Sequence, residues 1–553
     1  MTLHQRDLRE MPADIAALGH KLLPPTNPYR VIGDHLAELL DDAQFADLYE
    51  PIGRAALSPA LLALVTLFQY MEDIPDREAA EQVVVRLDWK YALHLPVDDP
   101  GFDFTCLCYF RRRLLEHDAE RLVFEEILGK IQALGFVKKR GKQRTDSVAV
   151  LGAVRQLGVL ELVSETLRLA VRALEQTDPA WVTQEVPASF VADYAHRRTE
   201  YQLSVQERQE ALGQVGQDGF WLLERLAATA CTEVQALEAV EVLRTVWAQR
   251  FERGAGRVHV RAQTVDCTEL IVTPHDPGVR VGEKRGKVWV GEKVHVTETA
   301  EPGAPAFLTD VSTAPAPSVD SAALPQIRAH LEERDLLPSE QYVDAGYVSG
   351  LQLAQSQAAD IELVGPPLPD TSPHAFKIAA FTIDRAAKSA RCPAGHRSVK
   401  WSARTEPDGT RAVNIQFAAA TCAACPLRAQ CTTSTSGRSL HLSEHYELVA
   451  ARRVEAQSAA FWERMCARPA IEATLSELVR KHGLRRHRYR GDAKRAFENL
   501  LKGAACNLKR LVRALVARPA RDTAARAAVA ADARPGALAV VCGARPRALA
   551  VAA

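Results

Sequence analysis

Apolar residues recur at three- and four-residue spacing through residues 30–135, most clearly in "SPALLALVTLFQYMEDIPDREAAEQVVVRL". This spacing places them on one face of a helix, and Ser58 followed by Pro59 is typical of a helix start. The pattern predicts a helical N-terminal domain over residues 1–140. The same spacing predicts a second helical region over residues 155–252.

Strand patterns follow this second helical region. The segments "RVHVRAQTVDCTELIV", "KVWVGEKVHVTET" and "AFLTDVST" carry β-branched residues in partial alternation with polar ones. A helix-like segment, "DSAALPQIRAHLEERDLLP", then precedes a short strand in "QYVDAGY". Strands that alternate with helices in this way predict a mixed α/β sheet.

The C-terminal part of the chain divides into three by composition. Residues 385–445 contain cysteine and proline and are rich in turns, and residues 446–521 regain helical spacing. Residues 522–553 are rich in alanine and have no clear apolar face, so we interpret them as a low-complexity tail. With 553 residues in total, the chain is long enough for several domains.

The chain has no net charge, with 69 Lys and Arg against 69 Asp and Glu. Evidence for a polyanionic partner must therefore come from local clusters. Residues 480–521 contain 14 Lys or Arg and only two acids. A single basic run is commonly a solvated helix face, but several runs could contact phosphates. The candidate cations are Arg111, Arg112, Arg113, Lys138, Lys139, Arg140, Arg485, Arg486, Arg488 and Arg490.

The chain has no N-terminal charged and apolar signal segment and no apolar run long enough for a membrane helix. Its eleven cysteines are few and unevenly placed, which argues against a secreted disulfide scaffold. We therefore expect a soluble, intracellular protein with no membrane partner.

Four cysteines lie within 40 residues: Cys392, Cys422, Cys425 and Cys431. A Cys-x2-Cys pair with a second pair of ligands is a common tetrahedral zinc site, so we predict a structural Zn²⁺ here. His396 could replace Cys392, and four free thiols in a loop-rich segment are the alternative. Because the segment has few large apolar residues, we expect it to lack its own core and to need the metal for folding.

Asp344 directly follows a short strand in "EQYVDAGYVSG". Asp and Gly are frequent in turns, so a strand-end turn is the simplest interpretation of this residue. A strand end is also a rigid position for a carboxylate that binds a divalent cation, provided that other carboxylates converge on it.

Five motifs, in this order, resemble those of bacterial insertion-sequence transposases of the DDE class. They are "QRTDSVAVLGAVRQL", "VTPHDPGVRVGEKRGKVWVGEKVHVTET", "YVDAGYVSG", "CPAGH" with "CAACPLRAQC", and "AIEATLSELVRKHGLRRHRYRG" with "NLKR". The resemblance extends over about residues 30–515.

The resemblance implies an RNase H-like mixed sheet with a helical N-terminal DNA-binding domain and a zinc-ribbon-like cysteine-rich insert. The catalytic core would comprise residues 141–384, with a helical insertion at 155–252, and the basic helices of residues 446–521. Asp146, Asp344 and Glu472 would hold two Mg²⁺ or Mn²⁺ ions for the cleavage and strand transfer of double-stranded DNA. The resemblance also implies a homo-oligomer on DNA and a cytoplasmic, nucleoid-associated location.

Some residues depart from the family pattern. Met465 stands where a tyrosine is frequent, and Pro469 lies shortly before Glu472. Asp266 is a rival for Asp146, because "VHVRAQTV" is a better strand pattern than "KKRGKQRT". The alternatives to an active transposase are an inactive copy that still binds DNA and a domesticated nuclease.

Overall fold

The computed structural model describes residues 1–3, 10–35, 39–195, 203–254, 257–261, 268–284, 286–370 and 372–531. Its N-terminal region is helical, as predicted. Ser58 caps the helix that follows it, because its hydroxyl oxygen accepts a hydrogen bond from the Leu61 amide at 3.1 Å. The helices are α1 (Ala13–Leu22), α2 (Pro28–Asp34), α3 (Pro59–Glu72), α4 (Asp76–Val85), α5 (Leu87–Ala92), α6 (Thr105–Glu116) and α7 (Leu122–Ala133).

The first strand, β1 (Lys142–Leu151), is followed by a helical insertion and a short hairpin. The insertion has a hydrophobic core of its own, in which Leu167, Leu222 and Trp247 are fully buried. Its elements are α8 (Val159–Thr177), α9 (Pro179–Glu185), α10 (Ala188–Ala195), α11 (Val205–Ala228), α12 (Thr232–Gln235), α13 (Glu238–Arg250), β2 (Phe251–Gly254) and β3 (Arg257–Val260).

The chain then completes the main sheet with β4 (Arg280–Lys284), β5 (Lys287–Thr299), β6 (Leu308–Pro315), α14 (Leu324–Glu333), β7 (Glu340–Tyr342), α15 (Gly350–Ala358) and β8 (Glu362–Val364). The strand order is β6–β5–β1–β7–β8, and β4 pairs with the first part of β5. The strands β6, β5 and β1 are antiparallel, whereas β1, β7 and β8 are parallel. This order confirms the predicted mixed α/β class.

A smaller β-rich unit follows, which we call the cysteine module (residues 376–446). Its three-stranded antiparallel sheet surrounds a small core that includes Phe381, Ile415 and Phe417. The expectation that this segment lacks a core is wrong, because Phe381 and Leu440 enter it from outside the stretch bounded by the cysteines. The elements are β9 (Thr382–Asp384), β10 (Ser389–Arg391), β11 (Lys400–Thr405), β12 (Arg411–Gln416), α16 (Ala419–Ala423), α17 (Arg428–Cys431) and β13 (Ser439–Ser443).

The last elements are the helices α18 (Tyr446–Glu455), α19 (Ala459–Met465), α20 (Ile471–Lys481) and α21 (Asp492–Ala531). The first half of α21 is buried and packs against α3, α7 and β6. One core therefore joins the N-terminal helices, the sheet and α21, through residues such as Phe124, Val296 and Leu501. Within the described part of the chain, no helix has the length and apolar character that a bilayer crossing requires.

Strand β1 has polar residues in its buried positions. Gln143 and Thr145 are 1% and 0% exposed. The Gln143 amide donates to the Leu336 carbonyl at 2.8 Å, and the Thr145 hydroxyl lies 2.9 Å from that of Thr297 on β5. Because both buried side chains are hydrogen-bonded, a strand that looks too polar to be buried is stable in the centre of the sheet.

Candidate active site

Asp146 lies on β1, and Asp344 follows shortly after the end of β7, the parallel neighbour of β1. The register pairs Lys142 with Glu340 and Arg144 with Tyr342, and the same offset extended past the end of β7 places Asp344 level with Asp146. With that offset both side chains lie on the same face of the sheet, because side chains alternate with a period of two. The Asp344 charge contributes to raising the pKa of Asp146.

The Asp344 carboxylate is held by the turn that follows its strand. Its Oδ1 accepts a hydrogen bond from the Gly346 amide at 2.9 Å and caps the short 3-10 helix Ala345–Tyr347. The turn interpretation and the site interpretation therefore describe the same residue, since the cap fixes the direction of the carboxylate.

The Asp146 carboxylate is nearly enclosed, with 9% of its side chain exposed. Burial raises its pKa, the Arg468 guanidinium opposes this change, and the Asp344 charge adds to it. A buried carboxylate beside a second one is costly to ionise unless a cation lies between them. In this structure Asp146 has one cationic partner, Arg468, which forms an ion pair with its Oδ2.

Glu472 lies in the first turn of α20 and is 66% exposed at its side chain. Its Oε1 accepts from Arg468 Nη1 at 3.1 Å, so Arg468 bridges Glu472 and Asp146. One guanidinium thus connects two of the three acids that the motifs indicated, Asp146 and Glu472. We call Asp146, Asp344, Glu472 and the nearby Asp320 the acidic cleft.

A buried glutamate fixes α20 against the sheet. Glu298 on β5 is fully buried and accepts hydrogen bonds from Arg144 at 2.6 Å, Thr474 at 2.6 Å and Arg510 at 3.0 Å. These donors belong to β1, α20 and α21, so one carboxylate orients three elements. Such a charged network is stable in the interior because each partner is hydrogen-bonded.

The departures from the family pattern have structural explanations. Met465 is 7% exposed and packs in a small core with Tyr342 and Phe461. Pro469 lies before the first residue of α20, where a missing amide leaves no helical hydrogen bond unmade. Neither residue disturbs the acidic cleft. The rival residue Asp266 lies outside the described residues.

Sequence reasoning missed Asp320. It opens a short 3-10 helix after β6, at the start of the segment that was interpreted only as a helix. Its Oδ1 accepts from the Ser147 hydroxyl at 3.2 Å and from Lys293 Nζ at 3.1 Å. An acid directly before an apolar helical run looks like a helix cap, and only the fold brings it beside Asp146.

The predicted basic residues fall into two groups. Arg111 is 5% exposed and forms an ion pair with Asp76, and Arg488 forms one with Asp73. These contacts correct the expectation for both residues, because each guanidinium is used inside the protein. Lys139 and Arg140 are exposed but pair with Asp335 and Asp360. Arg113 donates to a backbone carbonyl of Leu48, and Arg112 pairs weakly with Glu116 at 3.4 Å.

A second group of cations is exposed and forms no ion pair with any described residue: Lys138, Arg485, Arg486, Arg490 and Lys494. Arg485 and Arg486 lie beside the end of β1, because the Leu151 amide donates to the Arg485 carbonyl at 3.1 Å. Residues 485–490 therefore form a loop that lies beside the strand of Asp146 and is followed by α21.

The four cysteines of the module line one small cavity together with His396 and Arg438. Burial raises the pKa of the Cys431 thiol, and the other three cysteines add to the change while Arg438 opposes it. The thiols are therefore neighbours. Among the described residues, Glu477, His482 and Cys506 form a group whose possible metal-ligand atoms all lie within 4.8 Å of one another. The sulfur atoms of the four module cysteines do not meet that distance.

Two transposase families match the chain. Residues 391–512 match the family described as Transposase DDE domain, and residues 19–113 match the family described as Transposase domain (DUF772). The first match includes the four cysteines and Glu472, and neither includes Asp146 or Asp344. No curated protein matches the chain.

The fold and the acidic cleft define an α/β protein with carboxylates at the end of parallel strands. The two family matches, at opposite ends of the chain, support its assignment to the insertion-sequence DDE transposases.

Proposed function

We propose that the protein cleaves the ends of a mobile DNA element and joins them to target DNA in a metal-dependent reaction. The observation that carries this proposal is the alignment of Asp146 with Asp344, with Glu472 joined to Asp146 through Arg468. The mixed sheet, with three antiparallel strands followed by two parallel ones, supports the RNase H-like core that the resemblance implied.

The donor set fits hard divalent cations, because it consists of carboxylate oxygens. Asp146, Asp344 and Glu472 would hold two Mg²⁺ or Mn²⁺ ions, which supply activation of the attacking oxygen and stabilisation of the leaving oxygen when bound. The nearly buried Asp146 carboxylate supports this fit, since it carries a cationic partner even without metal.

Arg468 occupies the position between two of the proposed ligands. Asp146 and Glu472 can share a divalent cation only when the guanidinium gives up at least one of them. In the free protein Arg468 neutralises the acids, and DNA phosphates offer it an alternative partner during the reaction.

Exposed cations would bind the DNA backbone. Of the predicted residues, Lys138, Arg112, Arg485, Arg486 and Arg490 remain in this proposal, and the exposed Lys494 joins them. Contacts of this kind position DNA without reading its sequence. The family resemblance supports a homo-oligomer on paired DNA ends, and the cysteine cavity supports one structural zinc ion, for which its volume of about 30 Å³ leaves room.

The test of the proposed reaction uses DNA that carries the inverted repeats flanking the coding region. We expect 3′-end cleavage and strand transfer with Mg²⁺ or Mn²⁺ and neither in EDTA. Cleavage without joining would indicate the nuclease alternative. Binding without cleavage would indicate an inactive copy, which the undisturbed acidic cleft does not favour.

The DNA surface has its own test. Replacing Arg485, Arg486 and Arg490 by Glu should weaken binding to all sequences alike and lower the slope of log affinity against log salt by about 0.9 per lost phosphate contact. Exchanging Arg172 and Arg208 on the helical insertion for Glu is the matched control. An unchanged salt slope in the triple variant would exclude this segment from the DNA surface.

A further inference from the structure

Asp320 has one carboxylate oxygen fixed and the other free. Oδ1 accepts from Ser147, the neighbour of Asp146 on β1, and from Lys293 on β5. Oδ2 forms no hydrogen bond with any described residue. The side chain is 11% exposed, so its direction is set by these two donors rather than by solvent.

The free oxygen and Asp344 Oδ1 both lie near Gly346. A Cβ placed on Gly346 would lie 2.9 Å from Asp320 Oδ2 and 3.1 Å from Asp344 Oδ1. The two carboxylates therefore approach each other across a glycine whose missing side chain leaves them room. Any larger residue at position 346 would push at least one of them away.

A buried tyrosine reports how close the acids are. Burial raises the pKa of Tyr347, and the charges of Asp320, Asp146 and Asp344 each add to the change. The Tyr347 hydroxyl lies 2.7 Å from His295 Nδ1, which holds the ring in place beneath the acids.

The acidic cleft has four carboxylates, and the ion pairs of the free protein involve only two cations there, Arg468 and Lys293. Arg468 contacts Asp146 and Glu472, and Lys293 contacts Asp320 through Oδ1 only. Asp320 Oδ2 and the adjacent side of Asp344 have no cationic partner among the described residues. Hard divalent cations take six or more oxygen ligands, so a further carboxylate oxygen held in position favours their binding.

We propose that Asp320 is a fourth carboxylate of the metal centre and contributes Oδ2 to the cation held by Asp146 and Asp344. This inference rests on the proposed function. Lys293 and Ser147 act as positioning residues, because they hold Oδ1 and thereby orient Oδ2. Removing a residue that orients a metal ligand, as Lys293 and Ser147 do here, commonly lowers metal affinity 10- to 100-fold.

The experiment measures Mn²⁺ binding to the full-length protein without DNA, by the loss of the free-ion electron paramagnetic resonance signal. Manganese prefers oxygen ligands, so the cysteine module contributes little to the signal. We expect Asp320→Asn to weaken binding at least tenfold, and Asp344→Asn to weaken it as much or more. Asp335→Asn, an exposed acid paired with Lys139, is the control and should change binding less than twofold.

Each outcome separates the two hypotheses. Weakened binding in Asp344→Asn with wild-type binding in Asp320→Asn overturns this inference alone. Wild-type binding in Asp344→Asn overturns the proposed metal centre itself. If Asp320→Asn leaves Lys293 unpaired and does not fold, the double variant Asp320→Asn with Lys293→Met removes both charges, and wild-type affinity in it equally overturns the inference.

Discussion

The acidic cleft and the cysteine module both contain metal-binding side chains, but they differ in what keeps those side chains together. The acids of the cleft are charged, and the fold supplies Arg468 and Lys293 as counter-cations. In the module, burial raises the pKa of the Cys431 thiol, and Cys392, Cys422 and Cys431 pack against the core of Phe417 and Leu442 like small apolar groups.

This difference separates function from stability. Carboxylates that repel one another lower the stability of the free protein, and function is the reason to keep them. Partly buried thiols that pack on a core add to it whether or not a metal is bound. The cleft should therefore tolerate neutral substitutions in stability but not in activity, and the module should show the opposite behaviour.

The largest expected effect is on the activity of Asp344→Asn. Loss of a cation ligand removes several kcal/mol of transition-state stabilisation, so we expect cleavage to fall at least about 100-fold. The melting temperature should stay equal or rise, because one repelling charge is gone. Asp335→Asn is the control for both measurements, and a large loss of stability in Asp344→Asn would contradict the comparison.

The next effect concerns the core of the cysteine module. Phe417 is 2% exposed, and Phe417→Ala should destabilise the module by about 3 kcal/mol, measured by hydrogen exchange of the β12 and β13 amides.

The Cys422→Ser, Cys425→Ser double variant tests the metal directly. We expect it to lose one equivalent of zinc and yet retain protected amides, because the core remains. Global loss of protection in that variant would show that the metal, rather than the apolar core, holds the module.

A smaller effect is expected when the counter-cation of the cleft is removed. Arg468→Gln should tighten Mn²⁺ binding to the DNA-free protein about tenfold, because a competitor for Asp146 and Glu472 is lost. Arg480→Gln, near the other end of α20, is the matched control. Unchanged or weaker Mn²⁺ binding in Arg468→Gln would show that the guanidinium supports the site rather than competing for it.

The smallest effect is the pH dependence of stability. The raised pKa of Asp146 means that the folded state binds its proton more tightly than the unfolded state does. Stability should therefore rise as the pH falls from the raised pKa of Asp146 in the folded state toward 3.8, its ordinary pKa, and Asp146→Asn should lose this part of the pH dependence.

The raised pKa of Cys431 acts in the alkaline range, where stability should fall as the pH rises above 9.0 and the unfolded thiol ionises. Thermal melts across both ranges, with Cys431→Ser as the second variant, test both signs.

The elements of the fold could be predicted from the sequence wherever hydrophobic spacing was strong. The N-terminal helices, the helical insertion and the mixed sheet follow from periodicity, because one apolar face specifies each element. Strand β1 was harder to predict, since Gln143 and Thr145 are buried with hydrogen bonds to Leu336 and Thr297, which the pattern of a single strand does not contain.

Charge was the property that the sequence predicted least well. The segment at residues 480–521 is strongly basic by count, yet Arg495 and Lys502 are buried in ion pairs with Asp276, Glu292 and Glu498. Glu498 is a near neighbour of Lys502, but Asp276 and Glu292 are distant in sequence from Arg495, so no local count of charges reveals them. Arg111 and Asp76 repeat this lesson at the N-terminal end.

The sequence by itself determined the identity of the candidate acids Asp146, Asp344 and Glu472, because their motifs are local and recognisable. Only the tertiary structure decided how they come together. The pairing of β1 with β7 brings Asp146 and Asp344 to the same part of the sheet, and Glu298 orients the helix that carries Glu472. Arg468 forms ion pairs with both Asp146 and Glu472. It also added Asp320, whose position depends on Ser147 and Lys293. Motifs record which residues are present, whereas repulsion and neutralisation depend on distances that only the folded chain sets.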